Sequence, residues 1–264
     1  MKKWTSTRIQ ACKGKQRIAC LTAYDYATAR LMDAADIPLV LVGDSLGMTV
    51  LGYETTLPVT MEDMLHHSAA VVRGVNNALV VADMPFMSYQ ISIQQALQNA
   101  GRFLKEAGAD AVKIEGGHLR LETVKALVGN GIPVMGHIGL TPQSVRQFGG
   151  YKVQGKHPAA AKTLIEDAIG LVDAGVFTLV LECVPRALAA EITKTIAVPT
   201  IGIGAGPECD GQILVSHDML GMYSDVSPSF VKQYAKLGPL MQQAFESYRD
   251  EVTQGTFPTA EHSF

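Results

Sequence analysis

Short apolar runs alternate along this chain with longer stretches of helical periodicity. The runs are Arg17-Ile-Ala-Cys-Leu-Thr22, Pro38-Leu-Val-Leu-Val-Gly43, Ala78-Leu-Val-Val-Ala-Asp83, Ala111-Val-Lys-Ile-Glu115 and Pro133-Val-Met-Gly-His137. Phe177-Thr-Leu-Val-Leu-Glu182, Pro199-Thr-Ile-Gly-Ile203 and a weaker Gln212-Ile-Leu-Val-Ser216 complete the series. A run that is apolar at successive positions has no solvent face, so it belongs to a parallel sheet covered by helices. Strand signals separated by helical patterns predict βα units. Eight of them in a chain of 264 residues fit a closed (β/α)8 barrel, which commonly uses about 250 residues as one domain.

The eighth signal is the weakest, because the Ala205–Gly211 connection before it is too short for a full helix. Residues 1–16 read as an N-terminal extension with a short helix from Thr7, and residues 253–264 as a polar tail after a final helix over 229–252. One barrel domain, 1–264, is therefore expected. Thr60-Met-Glu-Asp63 has the spacing of a capping box opening a helix, and Asp25 the position of a helix cap after the first strand. The connection from Leu140 to Pro158, with its Phe148-Gly-Gly-Tyr151 core, is longer than a βα loop requires and is expected to act as a lid.

Composition changes this picture little but excludes several classes. Hydrophobic residues make up 47% and charged residues 18%, enough apolar material for a large core. A formal net charge of -3 offers no electrostatic case for binding nucleic acid or an anionic membrane. The cations at Lys2, Lys3 and Arg8 are not followed by an apolar segment, so no secretory signal is expected, and no run reaches the roughly 18 apolar residues of a membrane span. Cys12, Cys20, Cys183 and Cys209 lack CxxC spacing, which favours reduced thiols in a cytoplasmic protein over disulfides or a zinc site.

The chemistry-bearing residues are distributed one-sidedly. Asp44 and Ser45 follow the second strand, Asp83 ends the third, Lys113 and Glu115 lie on the fourth, His137 ends the fifth and Glu182 the sixth. The opposite ends carry Pro38, Pro133 and Pro199. Active sites of such barrels lie at the C-terminal ends of the strands. Residues two apart share a strand face, so Lys113 and Glu115 are expected to point inward together, with Ile114 toward the helices. Several carboxylates at one mouth need cations to offset their repulsion; Lys113 is one, and an all-oxygen donor set suits magnesium better than zinc. A metal-assisted barrel enzyme acting on a small, oxygen-rich anion is the expectation from the residues alone. A Schiff-base aldolase using Lys113 as nucleophile is a second reading of the same positions. Gly202-Ile-Gly-Ala-Gly206 lacks dinucleotide-fingerprint spacing.

Eight segments in order, among them Val42-Gly-Asp-Ser-Leu-Gly-Met48, Ala82-Asp-Met-Pro-Phe86, Val112-Lys-Ile-Glu-Gly-Gly117, Gly136-His-Ile-Gly-Leu-Thr-Pro-Gln143, Phe148-Gly-Gly-Tyr-Lys-Val-Gln-Gly155 and Val180-Leu-Glu-Cys-Val-Pro185, resemble the ketopantoate hydroxymethyltransferase (3-methyl-2-oxobutanoate hydroxymethyltransferase) family. The resemblance implies a TIM barrel of the phosphoenolpyruvate/pyruvate type, with magnesium as cofactor and 5,10-methylenetetrahydrofolate as co-substrate. It implies transfer of a hydroxymethyl group to α-ketoisovalerate, through a magnesium-stabilised enolate, in pantothenate and coenzyme A biosynthesis. It also implies a homo-oligomer, a decamer. Carried over by position, Asp44, Asp83 and Glu115 would bind the metal. Asp44, Ser45, Asp83, Lys113 and His137 would hold the substrate, and Glu182 would be the catalytic base. A carbon–carbon lyase of the related phosphoenolpyruvate/pyruvate group is the alternative within the same fold.

Overall fold

The computed structural model describes residues 3–222 and 228–264. Met1 and Lys2 of the N-terminal extension lie outside the described residues. Helix α1 (Ser6–Gln10) precedes β1 (Ile18–Thr22), α2 (Tyr26–Ala34), β2 (Leu39–Val42), α3 (Leu46–Thr49), α4 (Met61–Gly74), β3 (Leu79–Asp83), α5 (Ile93–Arg102) and β4 (Ala111–Glu115). The chain continues through α6 (Leu121–Gly129), β5 (Val134–Gly139), α7 (Val145–Phe148), α8 (Pro158–Asp173), β6 (Thr178–Glu182), α9 (Arg186–Thr195), β7 (Thr200–Ile203) and β8 (Gly211–Leu214).

The eight described strands form a closed barrel in sequence order, every neighbour parallel, with β8 returning to β1. No helix separates β7 from β8, as the short connection requires.

Alternation along each strand divides the apolar residues into two cores. Ile18, Cys20, Leu39, Leu41, Leu79, Val81, Ala111, Met135, Val180, Ile201 and Ile213 pack together inside the barrel. Their neighbours Val40, Val42, Val80, Ala82, Val112, Ile114, Val134, Leu179 and Leu181 pack outward with the helix residues. Burial on both sides explains why these strands read as unbroken apolar runs.

Local signals match the helix starts. Asp25 Oδ1 accepts the Thr28 backbone N–H at 2.8 Å and caps α2. Thr60 and Asp63 form a reciprocal capping box at α4. Thr5 caps α1.

At the N-terminal ends of the strands, aspartates stand where backbone donors would otherwise go unpaired. Asp33 accepts the N–H groups of Asn76, Asn77 and Ala78, just before β3. Asp110 accepts Val80 N–H at 3.0 Å. Asp210 accepts Thr200 N–H at 2.9 Å and Gly14 N–H at 3.2 Å, and pairs with Lys13 at 2.9 Å.

Two boundaries differ from the sequence reading. β5 runs on to Gly139, and β8 stops at Leu214. The chain divides into two compact units, Met1–Val215 with the barrel and Ser216–Phe264, a division that the hydrophobic pattern does not mark. The second unit holds α10 (Ser216–Met219) and α11 (Leu237–Gln254). The expected helix over 229–252 begins later, at Leu237. Pro239 gives the reason: a proline in a helix interior clashes with the preceding turn, whereas in the first turn its missing N–H has no partner to lose.

Candidate active site

Strand geometry brings the polar strand-end residues together. On β4, Ala111 belongs to the inner core and Ile114 to the outer one, so Lys113 and Glu115 face into the barrel. Asp83 follows the inward Leu79 and Val81, His137 the inward Met135, and Glu182 the inward Val180. Parallel pairing sets Asp83 beside Lys113 and Glu115 beside His137. Asp44 lies just past β2 and is tied in by its backbone, whose N–H donates to Asp83 Oδ2 at 3.0 Å. Asp44, Asp83, Lys113, Glu115 and His137 are all buried. Glu182 is more open, its side chain 16% exposed against 4% for His137.

One chain of ionic contacts runs through the group. Lys113 Nζ lies 2.8 Å from Asp83 Oδ1 and 3.8 Å from Glu115 Oε1. It also lies 3.3 Å from His137 Nδ1. His137 bridges two carboxylates, with Nδ1 3.5 Å from Glu115 Oε1 and Nε2 3.3 Å from Glu182 Oε2. The Lys113–Asp83 and His137–Glu182 approaches are ion pairs by distance, but neither has the angles of a hydrogen bond. Ser45 stands at the edge of the group, its Oγ 2.9 Å from the Tyr24 hydroxyl. Asp25 takes no part, being occupied as a helix cap.

Three buried carboxylates around one lysine are strained electrostatically. Burial, then the charges of Asp83 and Glu115, push the Asp44 carboxyl well above the usual carboxylate range, against the pull of Lys113 and Gln143. Burial also raises Asp83, although Lys113 opposes it. Glu115 goes the other way: burial would raise it, but His137, Lys113 and the Gln143 N–H outweigh burial and lower it. Burial and the Lys113 charge pull the His137 imidazole down, yet contacts with Glu115 and Glu182 leave it raised to about 9. Burial works against the Lys113 ammonium as well, but Asp83, Glu115 and Asp44 more than offset it and hold the proton firmly. A lysine held protonated is a poor nucleophile, which counts against the Schiff-base reading.

The donor set can be tested against the expected magnesium. Among the described residues no group of three or more His, Cys, Asp or Glu side chains is arranged to hold a metal ion. Glu115 has protein partners on both oxygens: Oε2 accepts the Gln143 N–H at 3.0 Å, and Oε1 faces Lys113 and His137. Asp44, Asp83 and Glu115 remain the residues expected to hold the metal, Glu115 directly or through water. A few carboxylates, completed by waters and substrate oxygens, are a fit for magnesium, which seldom uses an all-protein cage. The excess of buried negative charge at Asp44 is what a divalent cation would relieve.

The sequence reading passed over several residues of the site. Gln143, in a short turn after β5, donates from Nε2 to Asp44 Oδ2 and to the Met84 carbonyl, both at 2.9 Å. Its amide oxygen accepts from the Tyr89 hydroxyl at 2.8 Å. Gln143 lies within a family-like motif, but nothing in its spacing distinguishes it from a loop amide; Tyr89 carries no signal at all. The long connection behaves as a strap over the mouth. Tyr151 Oη reaches Met48 Sδ at 3.5 Å, and Gln154 N–H donates to the Cys183 carbonyl at 2.9 Å, beside Glu182. The Tyr151 hydroxyl is raised by burial and by Glu182, Asp44 and Glu115, which places it in the field of the site.

Glycines provide room at two points. A Cβ on Gly43 would come within 2.7 Å of Ser45 Oγ. Gly139 has φ 94°, and a Cβ there would lie 2.3 Å from the carbonyl oxygen of Glu182. Cys183, directly after Glu182, adopts φ 47°, an unusual conformation for a side chain with a Cβ and the kind of local strain that gathers at functional sites.

Comparison with known proteins supplies an independent line. The sequence profile of the ketopantoate hydroxymethyltransferase family matches residues 3–260. A 3-methyl-2-oxobutanoate hydroxymethyltransferase of Syntrophus aciditrophicus (strain SB) is 60% identical over 264 residues, covering 100% of this chain and 97% of the relative. One of Syntrophomonas wolfei subsp. wolfei is 60% identical over 252 residues, 96% of this chain and 91% of the relative. Among solved structures, 2,3-dimethylmalate lyase, a member of the PEP mutase/isocitrate lyase superfamily, superposes with a TM-score of 0.62 at 16% identity, over 97% of this chain and 92% of its own. Phosphonopyruvate hydrolase in complex with oxalate and magnesium gives 0.63 at 12% identity, over 99% and 93%. At such identities these structures bear on the fold alone.

Proposed function

Because the chain belongs to the ketopantoate hydroxymethyltransferase family, we propose that it transfers a hydroxymethyl group from 5,10-methylenetetrahydrofolate to α-ketoisovalerate, forming ketopantoate. The observation that carries this reading is the buried group at the C-terminal end of the barrel, in which Asp44, Asp83, Lys113, Glu115, His137 and Glu182 are linked by contacts of 2.8–3.8 Å.

Each residue type has a task in that reaction. The C3 proton of the keto acid is a weak acid, and Glu182 is the carboxylate of the group that is open enough to reach it. His137, 3.3 Å away, holds Glu182 in place and balances its charge. General-base action of this kind contributes about 10²–10⁴-fold. Asp44, Asp83 and Glu115, the last directly or through water, would hold magnesium, which when bound supplies Lewis-acid polarisation of the keto oxygen. Lys113, kept protonated by its neighbours, offsets their charge and favours an anionic substrate at the mouth. Ser45, oriented by Tyr24, offers a hydroxyl to the substrate carboxylate. Water supplies the hydroxyl: it adds to the methylene carbon of the donor, and the bonds from that carbon to the folate nitrogens break to release tetrahydrofolate. The enolate left by proton removal forms the new carbon–carbon bond to the one-carbon unit, whose oxygen takes up the proton that Glu182 removed.

Support for a homo-oligomer, in keeping with the decamer that the resemblance implies, comes from α11. Met241, Phe245, Tyr248 and Val252 recur there at helical spacing and are exposed. The free thiols of Cys12, Cys20, Cys183 and Cys209 suit a cytoplasmic setting. Among the described residues no helix is long and apolar enough to cross a membrane.

The test separates proton removal from transfer. In deuterated buffer with magnesium and keto acid alone, the wild-type chain should exchange the C3 proton, and Glu182→Gln should slow exchange by about 10²-fold or more. Unchanged exchange in Glu182→Gln would remove Glu182 from the chemistry. Product formation without any folate donor would move the assignment to a carbon–carbon lyase.

A further inference from the structure

The hydrogen bonds behind Asp44 have a direction. The Glu115 backbone N–H, fixed by β4, donates to the Tyr89 hydroxyl at 3.0 Å. A hydroxyl that accepts there has one proton to give, and its nearest acceptor is Gln143 Oε1 at 2.8 Å, with the Glu115 carbonyl farther off at 3.3 Å. The amide oxygen of Gln143 must therefore face Tyr89. Gln90 Nε2 donates to the same oxygen at 3.2 Å. The amide nitrogen is thereby turned to the other side, where it meets Asp44 Oδ2 and the Met84 carbonyl. That carbonyl can only accept. A backbone donor at one end and a backbone acceptor at the other leave the amide a single orientation.

Everything in this relay is buried, with Tyr89 at 1% and Gln143 at 5% exposure. An amide buried without partners would be expensive, and this one has every donor and acceptor engaged. Its output is the state of Asp44: Oδ2 accepts from Gln143 Nε2 at 2.9 Å, so the amide addresses one particular oxygen of that carboxylate.

We propose that Tyr89 and Gln143 form a one-way hydrogen-bond relay that sets which oxygen of Asp44 is offered to a divalent cation, so that both are positioning residues for the metal and, through it, for the keto acid. The proposal rests on the magnesium reading above. Gln143 also begins the strap-bearing connection, and its own backbone N–H is held by Glu115 Oε2 at 3.0 Å. The relay therefore roots the strap and orients the ligand with the same residue.

Isothermal calorimetry of magnesium with the full-length chain tests this without recourse to turnover. Outer partners of metal ligands typically change affinity by about 10–100-fold, and Gln143→Leu should weaken binding by that amount. Tyr89→Phe keeps the ring and should weaken it by several-fold, with a lowered melting temperature because the Glu115 N–H loses its acceptor. If Tyr89 acts through Gln143, the double variant should bind like Gln143→Leu alone. Should Gln143→Leu fail to fold, Tyr89→Phe still decides: unaltered affinity with a lowered melting temperature would mean that the network only supports the fold. Losses that multiply in the double variant would also overturn the relay. An absence of magnesium binding by the wild-type chain would overturn the metal reading itself, and the relay with it.

Discussion

Replacing Lys113 by Met tests the electrostatic balance of the site. The side chain is nearly as long, so packing of its stem is largely kept while the charge is lost. What remains is Asp83, whose cation at 2.8 Å is gone, together with Asp44 and Glu115, all buried. Removing one partner of a buried ion pair costs about 3–5 kcal/mol. At roughly 2–4 °C per kcal/mol for a chain of this size, melting should fall by about 6–20 °C at pH 8. The loss should depend on pH in a definite sense. Without Lys113 the folded-state values of Asp44 and Asp83 move further above their unfolded value of about 4, and Glu115 loses part of what lowers it. A raised carboxyl destabilises the fold above its unfolded value, and the penalty fades as pH falls toward that value and the groups take up protons. The gap between wild type and variant, measured by calorimetric scans at pH 8, 6.5 and 5, should therefore narrow steadily. Magnesium at pH 8 should narrow it too, by supplying charge to Asp44 and Asp83. A gap that stays constant across pH and ignores magnesium would show that Lys113 matters for its packing, and would refute the reasoning.

Three further outcomes are expected. Asp33 is pushed up by burial but held below the usual range by the N–H groups of Ala78, Asn77 and Asn76, so its stabilisation is present above about pH 4 and is lost as pH falls through the lowered folded value. Asp33→Asn should accordingly cost about 1.5–3 kcal/mol at pH 7 in urea titrations and progressively less below pH 4; a gap that persists in acid would contradict this. Gly139→Ala places a Cβ 2.3 Å from the Glu182 carbonyl, and a shift of the base by about 1 Å should lower C3 exchange about 10²-fold while leaving magnesium affinity within a few-fold; equal losses in both would point to general unfolding. Of the four thiols only Cys183 is not buried, and burial with the neighbouring Glu182 raises it to about 11. Native-state labelling should modify Cys183 alone, faster as pH rises and slower with keto acid bound; rapid labelling of Cys12 or Cys20 would contradict the burial.

Much of the fold could be read from the chain because its signals are local or periodic. The Ala111–Glu115 strand needed only a double-sided apolar run, and the capping box at Thr60 only a four-residue pattern. Inward pointing of Lys113 and Glu115 followed from alternation. Contacts between strands were another matter. That Asp83 lies beside Lys113, and Glu115 beside His137, depends on how successive strands are offset, which no stretch of sequence encodes by itself. In the sequence His137 reads as a strand end like the other polar residues, and only the folded chain brings Glu115 and Glu182 to its two ring nitrogens. Nor does any spacing announce that Glu115 Oε2 meets the Gln143 N–H, because loop amides have no periodicity to betray them. The late start of α11 was legible in Pro239 but was overridden by the apolar spacing around it.

The aspartates at the far end of the barrel have a bearing on all of this. Asp33, Asp110 and Asp210 each grip the main chain at the entry of a strand, and so fix how far one strand is slid along the next. A slip of a single residue would exchange the inward and outward faces of the strand concerned. Lys113 and Glu115 would then stand among the helices and Ile114 in the mouth. The aim of the site is thus held from the opposite end of the molecule, like a sight fixed at the stock. Loops at the mouth could be rebuilt for another substrate without disturbing that alignment, whereas loss of these distant carboxylates would spoil it while leaving every residue at the mouth in place in the sequence.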